Sequence, residues 1–319
     1  MNETDDSFSI NDLPDHNFHT TDFEPLPAQP PTTPMADQDN HHVVSASDPL
    51  INAQVGNYKI LSLLGKGGFG RVYKAQDITL GRQVAIKFLW GDPDGQHRAL
   101  FEREARAIAA LSKHPNIVDI HQWGEYEGKN YIVLEYVENT ASRLLAEHPN
   151  GLPVTMALRI IVECADALQE AHRYGILHRD VKTDNILIER QDGRAKLTDF
   201  GLARLGIPSD WTIEGTVSGS PFYMSPEQAR AEPIDERSDL FSLGATLHEL
   251  LTGKHLFEGT TSLEAIDRLR RNERVPLHIR RPDLAKSLCD RVEKATAFDR
   301  EDRYQTAEAF AHEFRLVLQ

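Results

Sequence analysis

The chain has 319 residues, 40% of them apolar and 8% aromatic, enough for one two-lobed or two smaller globular domains with a core of ordinary size. Its formal net charge of −14 is unevenly spread: up to Ala53 there are ten Asp or Glu and no Lys or Arg, leaving −4 for everything after. This excludes a basic nucleic-acid binder, and the lack of a run of about 18 apolar residues argues against a membrane span.

The N-terminus, MNETDDSFSINDL, has neither the basic nor the apolar region of a secretory signal. Residues 1–54 are rich in Asp, Pro, Thr, Ser and Asn around EPLPAQPPTTP, with too little apolar surface to offset chain entropy, and are expected to be a disordered acidic tail. Two readings of it stand. It is an inert leader, or Phe8, Ile10, Phe18 and Phe23 mark a docking peptide. Cys164 and Cys289 lie far apart with no companion at metal-ligand spacing, which suits buried reduced thiols and a cytoplasmic setting.

From Tyr58 the pattern becomes strand-like. NYKILSLLG leads into Gly65-Lys66-Gly67-Gly68-Phe69-Gly70, and RVYKA follows it as a second strand. A G-x-G-x-x-G that opens a strand is a hairpin, whereas a dinucleotide loop opens a helix. Arg71-Val72 after Gly70 also excludes a Walker-type loop. Such a hairpin can bring its backbone close over phosphates. Lys87 closes V-A-I-K on the next strand, where it can pair with triphosphate oxygens if a carboxylate holds it. HRALFEREARAIAALSKH reads as a helix, and Glu104, four residues before Ile108, shares its inward face; Glu102 is the alternative. IVDIHQWGEYEGKNYIVLEYV reads as two strands across a Glu-Gly-Lys turn.

After Val137 the chain turns helical. MALRIIVECADALQEAHRYG carries Leu158, Ile161, Val162, Ala165 and Leu168 on one face and ends at Gly175. DERSDLFSLGATLHELLTG, LAKSLCDRVEKATAF and TAEAFAHEFRLVLQ are further helices. The fold class is α+β: a small β-rich lobe over about residues 55–137 and a larger helical lobe over about 138–319.

Between these helices lies LHRDVKTDNILIE, dense in polar groups. Phosphoryl transfer needs little covalent help from protein, but does need positioning and charge neutralisation. Asp180 can orient a hydroxyl and take its proton, and Lys182 can reach a transferring phosphoryl group. Asn185 and Asp199 of Asp199-Phe200-Gly201 offer oxygens to Mg2+.

Taken in order, the glycine loop, VAIK, the helix glutamate, HRDVKTDN, DFG and SPE resemble the eukaryotic-like (Hanks-type) serine/threonine protein kinases, most of all their bacterial members. The resemblance runs from about Val55 to the C-terminus. It implies a two-lobed kinase that uses ATP and Mg2+ on protein substrates. It implies Leu64, Val72 and Ala85 around the nucleotide, Leu134 as gatekeeper and Glu135 to Val137 as the hinge. It also implies an apolar stack of Ile108, Ile120, His178 and Phe200, an Asp239 anchor for the catalytic loop, and an Arg303–Glu227 pair. Lys182 together with Gly219-Ser220-Pro221 implies Ser/Thr rather than Tyr substrates, with the Ser220 hydroxyl bonded to Asp180 and Lys182.

The resemblance further implies that Arg179 receives a phosphate on the activation segment, the stretch between Asp199 and Glu227, carried by Thr216 or Thr212, with Ser218 as a further site. Thr20, Thr21, Thr32 and Thr33 of the tail are sites that a phosphothreonine-reading partner would use. Three letters depart from the family. Ser225 replaces the usual Ala, ENTASRLL lacks a common Gly, and Thr183 stands in place of Pro, removing a fixed φ but no chemical group. A pseudokinase scaffold would lack one of Lys87, Asp180, Asn185 or Asp199, and a small-molecule kinase would lack the SPE segment and the Asp239 helix; all are present.

Overall fold

The computed structural model describes residues 48–67, 70–89, 111, 113–200 and 220–319. Gly68, Phe69, Glu102, Glu104, Ile108, Thr212, Thr216, Ser218, and the phenylalanines and threonines of the tail lie outside these residues.

The N-terminal lobe is a six-stranded antiparallel sheet. Its strands are β1 (Gln54–Val55), β2 (Tyr58–Gly67), β3 (Gly70–Asp77), β4 (Gln83–Leu89), β5 (Ile120–Tyr126) and β6 (Lys129–Glu135). Their spatial order is β1-β2-β3-β4-β6-β5, one short strand more than the five expected. Strand alternation divides the sheet into two apolar faces. Tyr73, Ala75, Val84, Ile86, Phe88, Tyr131 and Val133 form one cluster. Ala85, Leu89, Ile132 and Leu134, with Leu64 and Val72 packed on them, join the main core on the other. The β5–β6 turn is closed by Glu127 and Gly128, both at positive φ (49° and 72°), the conformation a tight hairpin requires.

Folded chain begins earlier than the sequence suggested. The Asp48 carboxylate accepts from Tyr73 Oη at 3.0 Å and Arg71 Nη1 at 3.1 Å on β3, and Asn52 and Ala53 bond to the Ile60 backbone of β2, so residues 48–54 do not belong to the tail. Their Asp and Pro content matches the tail, but the Asp48 carboxylate and backbone bonds to β2 hold them.

The C-terminal lobe has, among the described residues, a three-stranded sheet and eight helices. The sheet is β7 (Asn139–Thr140), β8 (Ile186–Ile188) and β9 (Ala195–Leu197). The helices are α1 (Ala141–Ala146), α2 (Val154–Arg173), α3 (Pro226–Ala229) and α4 (Glu236–Thr252). They continue with α5 (Ser262–Arg270), α6 (Leu277–Arg280), α7 (Lys286–Ala295) and α8 (Ala307–Leu318). Helix α2 buries Leu158, Ile161, Val162, Ala165 and Leu168 as its spacing predicts, and Gly175 follows its C-cap. Helix α4 is buried almost throughout, and α7 crosses it so closely at Gly244 that a Cβ there would lie 2.8 Å from the Ala295 Cβ. Tyr304, Phe310 and Phe314 pack α8 onto the same core as α2. Both cysteines are free and buried. No helix among the described residues is long and apolar enough to cross a membrane.

Candidate active site

Helix α4 builds the lower wall of the site. Asp239, in its first turn and 1% exposed, accepts from the backbone N–H of His178 at 2.9 Å and of Arg179 at 2.7 Å. His172 Nε2 at the end of α2 holds the same carboxylate at 2.9 Å. The loop is thus bent around one buried acceptor, with Arg179 at φ 69°, a conformation costly for a non-glycine residue unless its surroundings impose it. Burial lowers the pKa of His178, so its ring is neutral. The ring donates Nε2–H to the Thr198 carbonyl at 2.9 Å and accepts from Asp180 N–H on Nδ1 at 3.3 Å. It stacks on Phe200 with ring centroids 4.7 Å apart, joining two members of the expected apolar stack.

Asp180 follows directly. Its carboxylate meets Lys182 Nζ at 2.8 Å, Ser220 N–H at 3.1 Å and Asn185 Nδ2 at 3.1 Å. Burial alone would raise its pKa, but the lysine charge and hydrogen bonds outweigh burial and lower it, so Asp180 is a carboxylate. Lys182 also donates to Ser220 Oγ at 2.6 Å. Ser220 therefore contacts both expected partners, with one correction: the group that reaches Asp180 is the backbone N–H, while the hydroxyl oxygen accepts from Lys182. Asn185 spends both amide hydrogens on Asp180, on its carbonyl at 2.8 Å and its carboxylate, which leaves Oδ1 as the atom available to a cation.

The upper wall comes from β4. Lys87, 5% exposed, lies opposite Val72 of β3 and Ile132 of β6. Its Nζ is 2.7 Å from Asp199 Oδ2. The carboxylate expected to hold this lysine, Glu104, lies outside the described residues; Asp199 is the partner among those described. Asp199 itself sits at φ 66°. Beta-strand β9 delivers it: Val118 N–H donates to the Leu197 carbonyl at 2.9 Å, Leu197 N–H to the Asn116 carbonyl at 2.8 Å, and Asn116 Nδ2 to the Ala195 carbonyl at 2.8 Å.

The glycine loop divides into two cases. Gly70 has its α-carbon pressed against β4, so that a Cβ would run into the Phe88 carbonyl, and the reason for glycine there is internal. Gly65 has open space where its Cβ would be, among the described residues. Lys66 is exposed and pairs with Arg71 across the hairpin, and Gly67 pairs with Gly70. Leu64, Val72 and Ala85 lie on the face of the sheet that joins the main core, with Leu134 beside Ala85.

The stretch expected to be the hinge, Glu135 to Val137, carries a link that sequence reasoning missed. Glu135 accepts from Lys196 Nζ at 2.8 Å through both oxygens, and Lys196 also meets Glu189 at 3.0 Å. Burial would lower the Lys196 pKa, yet the two glutamates raise it. Val137 follows, half-buried. A cavity of about 720 Å3 between α1, the start of α2 and the β8–β9 turn, floored by Leu144, Met156, Ile160 and Ile188, has Glu189 in its wall but none of Lys87, Asp180, Lys182, Asn185 or Asp199. Chemistry marks the site here, and volume does not.

Behind it, Arg303 is fully buried and grips Glu227 through two bonds of 2.7 and 2.9 Å. Ser238 Oγ adds a third at 2.6 Å. Burial would raise the Glu227 pKa, but these donors bring it down to about 2. Ser225 caps α3, and Gln228 of that helix donates to the Arg179 carbonyl at 2.9 Å. The glutamate pair is thereby joined to the catalytic loop.

Comparison with known proteins agrees with this geometry. The model of the protein kinase domain family matches residues 58–315. The chain is 39% identical over 255 residues to the serine/threonine-protein kinase PrkC of Bacillus subtilis, covering 79% of this chain and 39% of that protein. It is 38% identical over 258 residues to the serine/threonine-protein kinase PknB of Mycobacterium tuberculosis, covering 78% of this chain and 41% of that protein. PknB of Mycolicibacterium smegmatis matches at 39% over 258 residues, 78% of this chain and 41% of its own length. The chain thus spans about two fifths of the length of these relatives. It belongs to the protein kinase family, among the eukaryotic-like (Hanks-type) kinases of bacteria.

Proposed function

We propose that this chain transfers the γ-phosphoryl group of ATP to serine and threonine hydroxyls of proteins. The observation that carries the reading is the Asp180 carboxylate, kept ionised and aimed by Lys182, Ser220 N–H and Asn185. Asp180 orients the substrate hydroxyl and receives its proton as the oxygen attacks. Lys182, already bridging Asp180 and Ser220, supplies positive charge beside the moving phosphoryl group. Lys87 neutralises phosphate oxygens from above, Glu104 steadies it, and the backbone from Leu64 to Gly70, with Gly68 and Phe69, covers the nucleotide. Val72 and Ala85 flank the base, and the Glu135–Val137 backbone takes its edge.

The protein kinase family uses ATP with Mg2+. The donor set fits that ion: Asn185 Oδ1 and the Asp199 carboxylate are hard oxygens, and two protein ligands suffice when phosphates and water complete an octahedron. The ion would supply charge neutralisation of the phosphates; the residues hold it and do not react. The Lys182–Ser220 bond supports Ser/Thr substrates. Buried reduced cysteines support action in the cytoplasm.

Autophosphorylation at Thr216 or Thr212, with Ser218 as a further site and Arg179 as the receiver, belongs to the same proposal. So does a phosphothreonine-reading partner of the tail. Phosphopeptide mapping of active protein that finds neither activation-segment threonine would remove the first. For the reaction itself, Asp180→Asn keeps the shape and removes the base, and should lower kcat on casein by about 10²- to 10⁴-fold. Wild-type turnover by this variant would overturn the assignment of Asp180.

A further inference from the structure

Thr183 occupies the position where proline is usual, and its exchange looked chemically silent. The structure gives it a task. The residue is 2% exposed and opens the 3-10 turn Thr183–Asn185, between the lysine and the asparagine of the site. Its Oγ1 lies 3.1 Å from Tyr223 Oη, and Tyr223 Oη donates to Glu249 Oε2 at 2.7 Å. Tyrosine has one hydroxyl proton. Once that proton is given to Glu249, the Thr183 hydroxyl must be the donor to Tyr223. The result is a directed chain from Thr183 through Tyr223 to Glu249, buried along its length.

Its three members come from the three elements that must agree for transfer to occur. Thr183 is on the catalytic loop, Tyr223 is three residues beyond the Ser220 that Lys182 grips, and Glu249 is on α4. Helix α4 already holds the start of the loop through Asp239 at His178 and Arg179. With Glu249 at its far end it holds the loop a second time, beyond Lys182. A proline would leave the Tyr223–Glu249 bond intact and the loop detached from it.

We propose that Thr183 is a positioning residue: its hydroxyl, through Tyr223 and Glu249, fixes the Lys182–Asn185 side of the catalytic loop to α4 and keeps Lys182 in register with Ser220. The inference rests on the kinase reading above. Its bland rival is that Thr183 only fills space.

The test uses the full chain with Mg2+-ATP and casein, comparing Thr183→Val, Thr183→Ser and Thr183→Pro with wild type and Asp180→Asn. Valine keeps the shape and loses the donor. Serine keeps the donor. Proline fits the extended backbone of Lys182 before it (φ −160°, ψ 167°) but donates nothing. Expected are a kcat lower by about tenfold for valine and proline, KM for ATP unchanged, and recovery to within about threefold for serine, since small misplacements of catalytic groups act on turnover. Tyr223→Phe, which cuts the chain at its middle, should lower kcat similarly, and the double variant Thr183→Val/Tyr223→Phe should be no worse than either single. A space-filling role predicts wild-type kcat per folded molecule for valine, or additive losses in the double variant, and either result overturns the proposal. If valine does not fold, proline and Tyr223→Phe decide in the same way. A wild-type chain as inactive as Asp180→Asn would instead overturn the kinase reading, and this inference with it.

Discussion

Asp180 and Asp199 face one site and carry the same side chain, yet they are held in opposite ways. Asp180 is satisfied by Lys182, Asn185 and Ser220, and its loop hangs from Asp239; every one of these groups belongs to the C-terminal lobe. Asp199 has its close ion-pair partner, Lys87, on β4 of the N-terminal lobe. It is also more exposed, 27% against 12% for the two side chains. Asp180, the base of the proposed reaction, is therefore held within one lobe, while Asp199, the proposed metal ligand, is held across both. On that reading the group that takes the proton is fixed, and the side that would admit and release a nucleotide is left to a contact between lobes.

Three changes break or sharpen this contrast. The largest effect is expected at the support of the preorganised side. Arg303→Met strands the buried Glu227 carboxylate and should cost about 3–5 kcal/mol of stability, read as a drop in denaturation midpoint. The Glu227 pKa, about 2 in the folded chain, lies below its unfolded value, so its stabilisation is complete above about pH 4.5 and is lost as pH falls toward 2. That acid sensitivity should flatten in the variant. An unchanged midpoint would mean that the pair does not hold the lobe together.

Next comes the contact between lobes. Lys87→Met removes the partner of Asp199 and should lower kcat/KM for Mg2+-ATP by about 10²-fold. Amide exchange at His178 and Arg179 should stay at the wild-type rate, because their acceptor, Asp239, does not involve Lys87. Faster exchange there would show that the two carboxylates are not independently held.

The smallest effect lies at Glu249. Burial pushes its carboxyl up to about 7, with the Tyr223 hydroxyl donating to it and the Asp184 charge opposing ionisation. His255 Nδ1 is 3.3 Å away, but not aligned as a hydrogen bond. Because the folded pKa lies above the unfolded one, ionising Glu249 costs stability as pH rises from about 4.5 to 7. Glu249→Gln should therefore gain about 1–2 kcal/mol at pH 8 and nothing at pH 5, seen as a flatter midpoint-against-pH curve. A parallel shift at both pH values would contradict this.

The residues that meet at the candidate site were legible because each proposed task admits few side chains and the chain presents them in order. Lys87 with Asp199, Asp180 with Lys182 and Asn185, Asp239 with the Arg179 backbone, and Glu227 with Arg303 each lie within bonding distance. What remained hidden was pairing between distant positions. Lys196 and Glu135 are 61 residues apart, and His172 and Asp239 are 67 apart; no local pattern marks either. Thr183 could be seen as a departure from proline, but its meaning depends on Tyr223, 40 residues on. That Asp48 belongs to the fold was hidden because composition averages over a window, whereas one carboxylate against Tyr73 and Arg71 decides the matter. The glycine hairpin as a whole is expected to lie over phosphates, and at Gly70 a further reason for glycine is internal: a Cβ there would meet the Phe88 carbonyl.

The burial of Arg303 also has a temporal side. Ribosomes add about 5–20 residues per second, so the catalytic loop is made roughly ten seconds before the arginine that neutralises Glu227. During that interval Glu227 has no Arg303 to pair with, and α8 is not yet there to pack against α2. The ion pair behind the candidate site is therefore completed only when nearly all of the domain has been made.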